Sequence, residues 1–379
     1  MVIIFAGAIG RFPIGGHAWI DMQYILGLRA LGHEVFYLEE CGQESWVYNW
    51  EAEEITTDLD YPASFVRDCL TPIGLGGKWI YRAGERSEGM PSRNFLDVCS
   101  QADLVIVRGA PMGWWRTEYS WPRRRLFIDV DPGFTQIKLA RGDRQLATTI
   151  ERCERLFTIA QHIDAGECSI PLAGRRWLKT ASPIFLPSWP YVEDGTAKHF
   201  TSVMQWHSYR EVNYNGVSYG NKDKEFPKFI DLPRLTNQTF QMALTGARPE
   251  VLTKYGWEVI PGWVTSKTPS SYRDFIQRSR AEFGVAKQGY VAMRAGWFSD
   301  RSVCYLASGR PVLVQDTGLR GWLPTGEGLL TFSDVSGALR GIEKINTDYE
   351  RHRRAARLLA EQYFATERIL PPLLRTAMD

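Results

Sequence analysis

Within its first 38 residues the chain sets out a strand, a glycine-rich loop, a helix and a second strand, and that order leaves few folds open. Val2 to Ala8 is an apolar run ending in Gly7-Ala8-Ile9-Gly10 and then Gly15-Gly16-His17. Trp19 to Leu31 places apolar residues at Trp19, Met22, Ile25, Leu26 and Leu28, a helical period closed by Gly32, and His33 to Leu38 reads as the next strand. A βαβ unit crosses over right-handed and so implies a parallel sheet. Buried strands are expected again at Asp103 to Val107 and Arg125 to Val130, with a short one at Arg155 to Ala160, giving a doubly wound α/β domain.

A chain of 379 residues exceeds what one core usually organises, which predicts two domains. Between Cys168 and Asp194, Pro171, Pro183, Pro187 and Pro190 interrupt any long element, and the linker is placed there. Beyond it, strands are expected at Phe200 to Trp206, Phe229 to Leu232, Phe240 to Leu244, Gly256 to Ile260, Gly289 to Met293 and Pro311 to Val314. Helices are expected at Tyr272 to Phe283, Arg301 to Ala307, Asp348 to Tyr363 and Glu367 to Ala377. The division that follows is residues 1–185, a second Rossmann-like domain over 195–347, and helices over 348–379 that pack back toward the first domain.

Lys plus Arg number 45 against 43 Asp plus Glu, and this balance predicts no nucleic-acid partner and no anionic membrane surface. No apolar stretch approaches the roughly 20 residues that span a bilayer, and no basic segment precedes Met1 to Ile9, so a cytoplasmic protein without a transmembrane segment is expected. Six cysteines without a CxxC pair favour reduced thiols over a disulfide framework or a metal site. Fourteen Trp either line a cleft that holds rings or pack cores. Neither GxxxxGK[ST] nor GxSxG occurs, and the glycines of Gly7-Ala8-Ile9-Gly10 have the wrong spacing for a dinucleotide fingerprint.

The segment richest in chemistry runs from Lys287 to Glu327, with Arg294-Ala295-Gly296-Trp297-Phe298-Ser299-Asp300-Arg301-Ser302 ahead of Ala307-Ser308-Gly309-Arg310-Pro311-Val312. A turn feeding a helix N-terminus presents unpaired N–H groups and the positive end of the helix dipole, where a diphosphate settles. Ser299 and Ser302 add hydroxyl donors, Arg294, Arg301 or Lys287 can neutralise charge, and Asp300 can accept from a ribose hydroxyl. The alternative is that Ser299 or Asp300 merely caps the helix and the arginines are solvated.

Gly296-Trp297-Phe298-Ser299 and Ala307-Ser308-Gly309-Arg310-Pro311-Val312 resemble the donor-binding motif of bacterial glycosyltransferases of GT-B architecture, those grouped with glycosyltransferase families one and four. The resemblance extends to Gly15-Gly16-His17-Ala18-Trp19, Phe127-Ile128-Asp129-Val130-Asp131-Pro132, Tyr219-Gly220-Asn221-Lys222-Asp223 and Val314-Gln315-Asp316-Thr317-Gly318. It implies two Rossmann-like domains facing each other across a cleft, and a nucleotide-diphosphate sugar as co-substrate with no other cofactor. It implies that Arg294 stands where a histidine meets the diphosphate, that Gly296 and Ser299 form the turn beside the phosphates, and that Gln315 and Asp316 hold sugar hydroxyls. Gly15 and Gly16 are counted with the donor-binding residues. The acidic pair of retaining members is replaced by Gly296 and Cys304, and Asp300 or Glu327 would have to stand in for the ribose-binding glutamate.

Inverting relatives use a histidine at about the place of His17 as general base. A histidine can take a proton at neutral pH while an aspartate holds its other nitrogen. Asp129 and Asp131, at a strand end, would orient His17 or act as base; otherwise His17 is a loop residue capping a helix and Asp131 forms an Asx-turn before Pro132. The expected activity is metal-independent hexosyl transfer to a hydroxyl or amine of a small-molecule or natural-product acceptor, with room for a homodimer. The alternatives are a nucleotide-sugar epimerase or hydrolase, or a non-catalytic nucleotide-sugar-binding partner.

Overall fold

The computed structural model describes residues 1–109 and 112–379. The first half contains β1 (Val2–Ala6), α1 (Gly15–Ala30), β2 (Glu34–Glu40), the hairpin β3 (Val47–Asn49) and β4 (Glu54–Thr56), and α2 (Asp60–Leu70). It continues through β5 (Trp79–Ala83), β6 (Arg86–Gly89), α3 (Ser92–Gln101), β7 (Leu104–Arg108), β8 (Arg124–Asp129), α4 (Phe134–Ala140), α5 (Arg144–Glu151), β9 (Arg155–Thr158) and β10 (Leu178–Lys179). Eight of these strands form one sheet in the order β10-β9-β8-β7-β1-β2-β5-β6, parallel except for the β5–β6 edge. Its central strands are buried on both faces, as expected of apolar runs covered by helices on each side.

The second half contains β11 (Phe200–Gln205), the hairpin β12 (Val212–Tyr214) and β13 (Val217–Tyr219), α6 (Lys222–Glu225), β14 (Phe240–Thr245), α7 (Glu250–Thr253), β15 (Glu258–Pro261), α8 (Gly262–Thr265) and α9 (Pro269–Gln277). Then follow β16 (Ala281–Gly284), α10 (Gln288–Met293), α11 (Asp300–Ala307), β17 (Val312–Gln315), β18 (Leu329–Phe332) and α12 (Val335–Thr347). Its six-stranded parallel sheet runs β15-β14-β11-β16-β17-β18. The chain ends in α13 (Tyr349–Leu359) and α14 (Thr366–Met378). α14 lies on the first half: Thr366 packs where a side chain on Gly27 of α1 would sit, and the carbonyl of Thr376 accepts from Arg155.

Three expected elements differ. Phe229 to Leu232 is not a strand but a junction of two 3₁₀ turns, where Pro227 and Pro233 remove the donors a ladder needs. The helix expected over Tyr272 to Phe283 stops at Gln277, and Ala281–Gly284 is the buried strand β16, a run too short for periodicity to classify. Gly289 to Met293 is helical, so the segment entering the donor motif is helix, turn, helix rather than strand, turn, helix.

The two halves meet along α1 and α9, through a core shared by Trp19, Trp189, Tyr272 and Tyr305. Gly15 and Gly16 are required there by proximity. A Cβ on Gly15 would lie 2.0 Å from the backbone oxygen of Thr268, and one on Gly16 would lie 2.7 Å from the Tyr272 ring. Gly15→Ala is therefore expected to loosen the junction and to cost about 1–3 kcal/mol of stability by urea denaturation.

Candidate active site

In each sheet the chain switches direction beside a central strand: β1 lies between β2 and β7, and β11 between β14 and β16. Loops leaving such neighbouring strand ends diverge and open a crevice. The two crevices face each other and form one cleft of about 350 Å³. The first half contributes His17 after β1, Arg108 at the end of β7 and Asp131 after β8. The second contributes Lys222 at the start of α6, Lys287 after β16, and Trp297, Ser299, Asp300 and Arg301 around the start of α11.

His17 stands half-buried against the Phe12 ring, with Nη2 of Arg108 3.4 Å from its Nε2. The guanidinium of Arg108 is itself buried and paired with the buried carboxylate of Asp21, which accepts a bond from the Ala8 amide. Burial first, then the positive charges of Arg108 and Arg11, hold the His17 imidazole well below its ordinary pKa. These terms favour the neutral imidazole, whose Nε2 faces the Arg108 guanidinium.

The aspartate expected beside His17 is elsewhere. Asp129 is buried and accepts from Gln136, Thr158 and the Asp131 amide, so the Asx-like turn belongs to Asp129 rather than to Asp131. Asp131 reaches across to the second half, where its carboxylate accepts from Tyr209 at 2.9 Å, Lys287 at 3.0 Å and the Tyr290 hydroxyl. Burial pushes its pKa up, but Lys287 and the two tyrosine hydroxyls outweigh this and hold it below the usual carboxylate range. A carboxylate so committed is a clamp between the halves and no base for a substrate. Asp131→Ala strands the Lys287 ammonium among Phe134, Tyr209 and Tyr290, and a loss of about 2 kcal/mol is expected in chemical denaturation.

Lys222 differs from the other cations of the cleft. It is buried, and its ammonium has no hydrogen bond or ion pair with any described residue. Burial first, and then the charge of Arg301, lower its pKa well below the ordinary lysine value. The start of α11 shares the same cleft: Ser299 caps it by accepting from the Arg301 amide at 3.3 Å and Asp300 is its first residue, whereas Ser302, whose buried hydroxyl has no partner, does not line the cleft. Burial raises the Asp300 carboxyl against the lowering effect of Arg301 and Arg108. The carboxylates of Glu282 and Asp300 act on this ammonium only through space, and a buried cation with no direct partner near a helix start is a place where an anion is favoured.

The remaining expected residues divide. Arg301 lines the cleft but is committed to Glu282 at 2.7 Å and to the Val203 carbonyl at 2.9 Å, and Lys287 is committed to Asp131. Arg294 is not among the residues that line the cleft: it ends α10 in a left-handed conformation and points outward to Glu167 at 3.2 Å. Gly296, at φ 67°, donates to the Thr317 carbonyl and packs on His162. Gln315 is turned away from the cleft, donating to Glu225 at 2.6 Å and accepting from the Ala286 amide. Asp316 closes a turn by accepting from Gly318 and Leu319, and the exposed Glu327 pairs with Arg351. Among the described residues no three His, Cys, Asp or Glu side chains converge as a metal site would require. No described helix is long and apolar enough to cross a membrane.

Two parallel α/β sheets facing each other across a cleft, with the last helix returning to the first half, constitute the GT-B fold. No protein-family model and no curated protein matches the sequence. Solved structures match in fold. An alpha-glucosyltransferase in complex with UDP is similar over 100% of this chain and 99% of that one, at 11% identity and TM-score 0.58. Sucrose-phosphate synthase from Thermosynechococcus elongatus is similar over 99% of each chain, at 10% identity and TM-score 0.55. HepE from Anabaena, in complex with UDP and glucose, is similar over 99% of this chain and 98% of that one, at 11% identity and TM-score 0.58. Another structure of an alpha-glucosyltransferase holds UDP and a 13-mer DNA, at 12% identity and TM-score 0.59 over 100% and 98% of the two chains. That complex overturns the expectation, taken from charge balance, that nucleic acid is excluded as a partner. Net charge averages over the whole surface, whereas a bound strand meets one local face.

Proposed function

We propose that this chain is a glycosyltransferase of hexosyl type that moves a sugar from a nucleotide-diphosphate sugar to a hydroxyl or amine. The observation that carries the reading is the buried Lys222, which has no hydrogen bond or ion pair with any described residue, in one cleft with the start of α11 and with His17. The diphosphate lies against Lys222 and the α11 amides. His17 takes the proton of the acceptor as its oxygen or nitrogen bonds to the anomeric carbon. The bond from that carbon to the phosphate oxygen breaks, and Lys222 with the helix dipole offsets the charge left on the nucleotide. The reading invokes no metal. UDP and UDP-glucose in solved structures of the same fold support a uridine donor. Six free thiols support a cytoplasmic setting.

The test is a thermal-shift series with UDP, ADP, GDP and TDP, followed by UDP-glucose with a panel of hydroxyl and amine acceptors that includes duplex DNA, each with and without EDTA. A shift largest for UDP and an EDTA-insensitive, acceptor-dependent release of UDP are expected. Free glucose or isomerised donor without an acceptor would favour a hydrolase or epimerase, and binding with no turnover across the panel would sink transfer altogether.

A further inference from the structure

We propose that Glu39 is a positioning residue for the transfer step: from the end of β2 it holds the loop that packs against His17, and this rests on the reading of His17 as the base. The loop joins β1 to α1 and spans Gly7 to Ile14. Backbone bonds tie its ends, from Gly7 to the Leu38 carbonyl and from Ile14 to that of Phe12. Between them, four successive amides are met by side chains. Ala8 donates to Asp21 at 2.9 Å and Ile9 to the Tyr37 hydroxyl at 2.8 Å. Gly10 and Arg11 donate to the two oxygens of Glu39, at 2.8 and 2.5 Å, and the Tyr37 hydroxyl donates to the same carboxylate at 2.7 Å.

Glu39 is buried, and no cation among the described residues pairs with it. A carboxylate taken out of water without a counter-charge is costly unless donors satisfy it, and two of its three donors belong to the loop. The cost is offset only while the loop stays seated. What the loop carries gives this a consequence at the site: the Phe12 ring lies 4.6 Å from the His17 imidazole, and the charge of Arg11 acts on the same imidazole. The loop has no room to sink further, since a Cβ on Gly10 would lie 2.7 Å from the Tyr81 ring, so on release it moves outward and takes Phe12 with it. Asp21, which holds Ala8, is already committed to Arg108, whereas Glu39 answers to the loop and Tyr37 alone. A carboxamide at position 39 offers one oxygen and sets its NH₂ against an amide N–H.

The test follows carbethoxylation of each histidine by diethyl pyrocarbonate, read by peptide mass spectrometry on the full chain. It is run at pH 8, above the value of about 7 to which burial pushes the Glu39 carboxyl. In Glu39→Gln, His17 should be modified about tenfold faster than in the parent, as expected when charge-assisted bonds that hold a segment closed are lost, while His33, His162, His199, His207 and His352 keep their parent rates. Tyr37→Phe, which frees the Ile9 amide and removes one donor to Glu39, should act in the same direction by about threefold, so that the result does not depend on one variant folding. In both variants kcat for transfer should fall, with KM for UDP-glucose and the thermal shift given by UDP unchanged. Parent reactivity of His17 in both variants would overturn the proposal, as would a rise shared by all six histidines, the sign of general loosening. A parent protein that transfers nothing would instead remove the transfer reading, and the modification rates judge the hold on His17 independently of it.

Discussion

Replacing His17 with alanine is expected to slow glycosyl transfer by about 10²–10⁴-fold, the usual contribution of a positioned general base, while UDP still raises the melting temperature as in the parent. The split follows from position, because His17 lies on the first half and Lys222 on the second. The pH profile supplies a second readout. Burial and the charges of Arg108 and Arg11 depress the imidazole pKa, so its base form persists as pH falls through 6.5 and is lost only below the depressed value. Transfer should therefore hold level from pH 8 to below the ordinary histidine range and fall only in more acid solution. Arg11→Ala removes one of the two charges and should move that acid limb upward. Arg108 is less suited to the same test, since its loss strands the buried Asp21 carboxylate.

Lys222→Met should have the opposite signature: about 30-fold weaker UDP binding, equivalent to about 2 kcal/mol for a lost charge-assisted contact, in a free protein no less stable than the parent. A buried ammonium without a partner burdens the folded state, and an apolar side chain of similar length relieves it. Because the Lys222 pKa is depressed, its charge in the free protein is lost as pH rises, before an ordinary lysine would lose it. UDP affinity should then decline on the alkaline side in the parent and change less in the variant. Arg294→Ala, whose side chain points outward to Glu167, should leave UDP binding unchanged; isothermal titration of the three proteins separates these outcomes.

Much of the scaffold could be read from the chain because long periodic segments repeat their signal over several turns. The unit β1-α1-β2, the strands β7, β8, β11 and β14, and the helix-to-strand passage from α11 to β17 are all of this kind. Short apolar pieces misled. Gly289 to Met293 has too few residues to show a period, and its helix is imposed by Tyr290 and Met293 packing onto the core beneath Phe134. The site was legible only where a residue's role is local. Ser299 announces a helix cap in sequence and is one. Whether a cation is free or already neutralised depends on partners far along the chain: Glu282 for Arg301, Asp131 for Lys287, Glu167 for Arg294, and none described for Lys222. Lys222 stood within Tyr219-Gly220-Asn221-Lys222-Asp223, after a strand and at the start of a helix, but nothing in that spacing distinguishes it from Lys224, which pairs with Glu211 at the surface.

A crystal structure of the protein grown with UDP bears most directly on the account. The diphosphate is expected in the cleft with an oxygen about 3 Å from the Lys222 ammonium and another facing the amides that open α11. UDP bound with Lys222 still without a partner, or seated away from the start of α11, would contradict it.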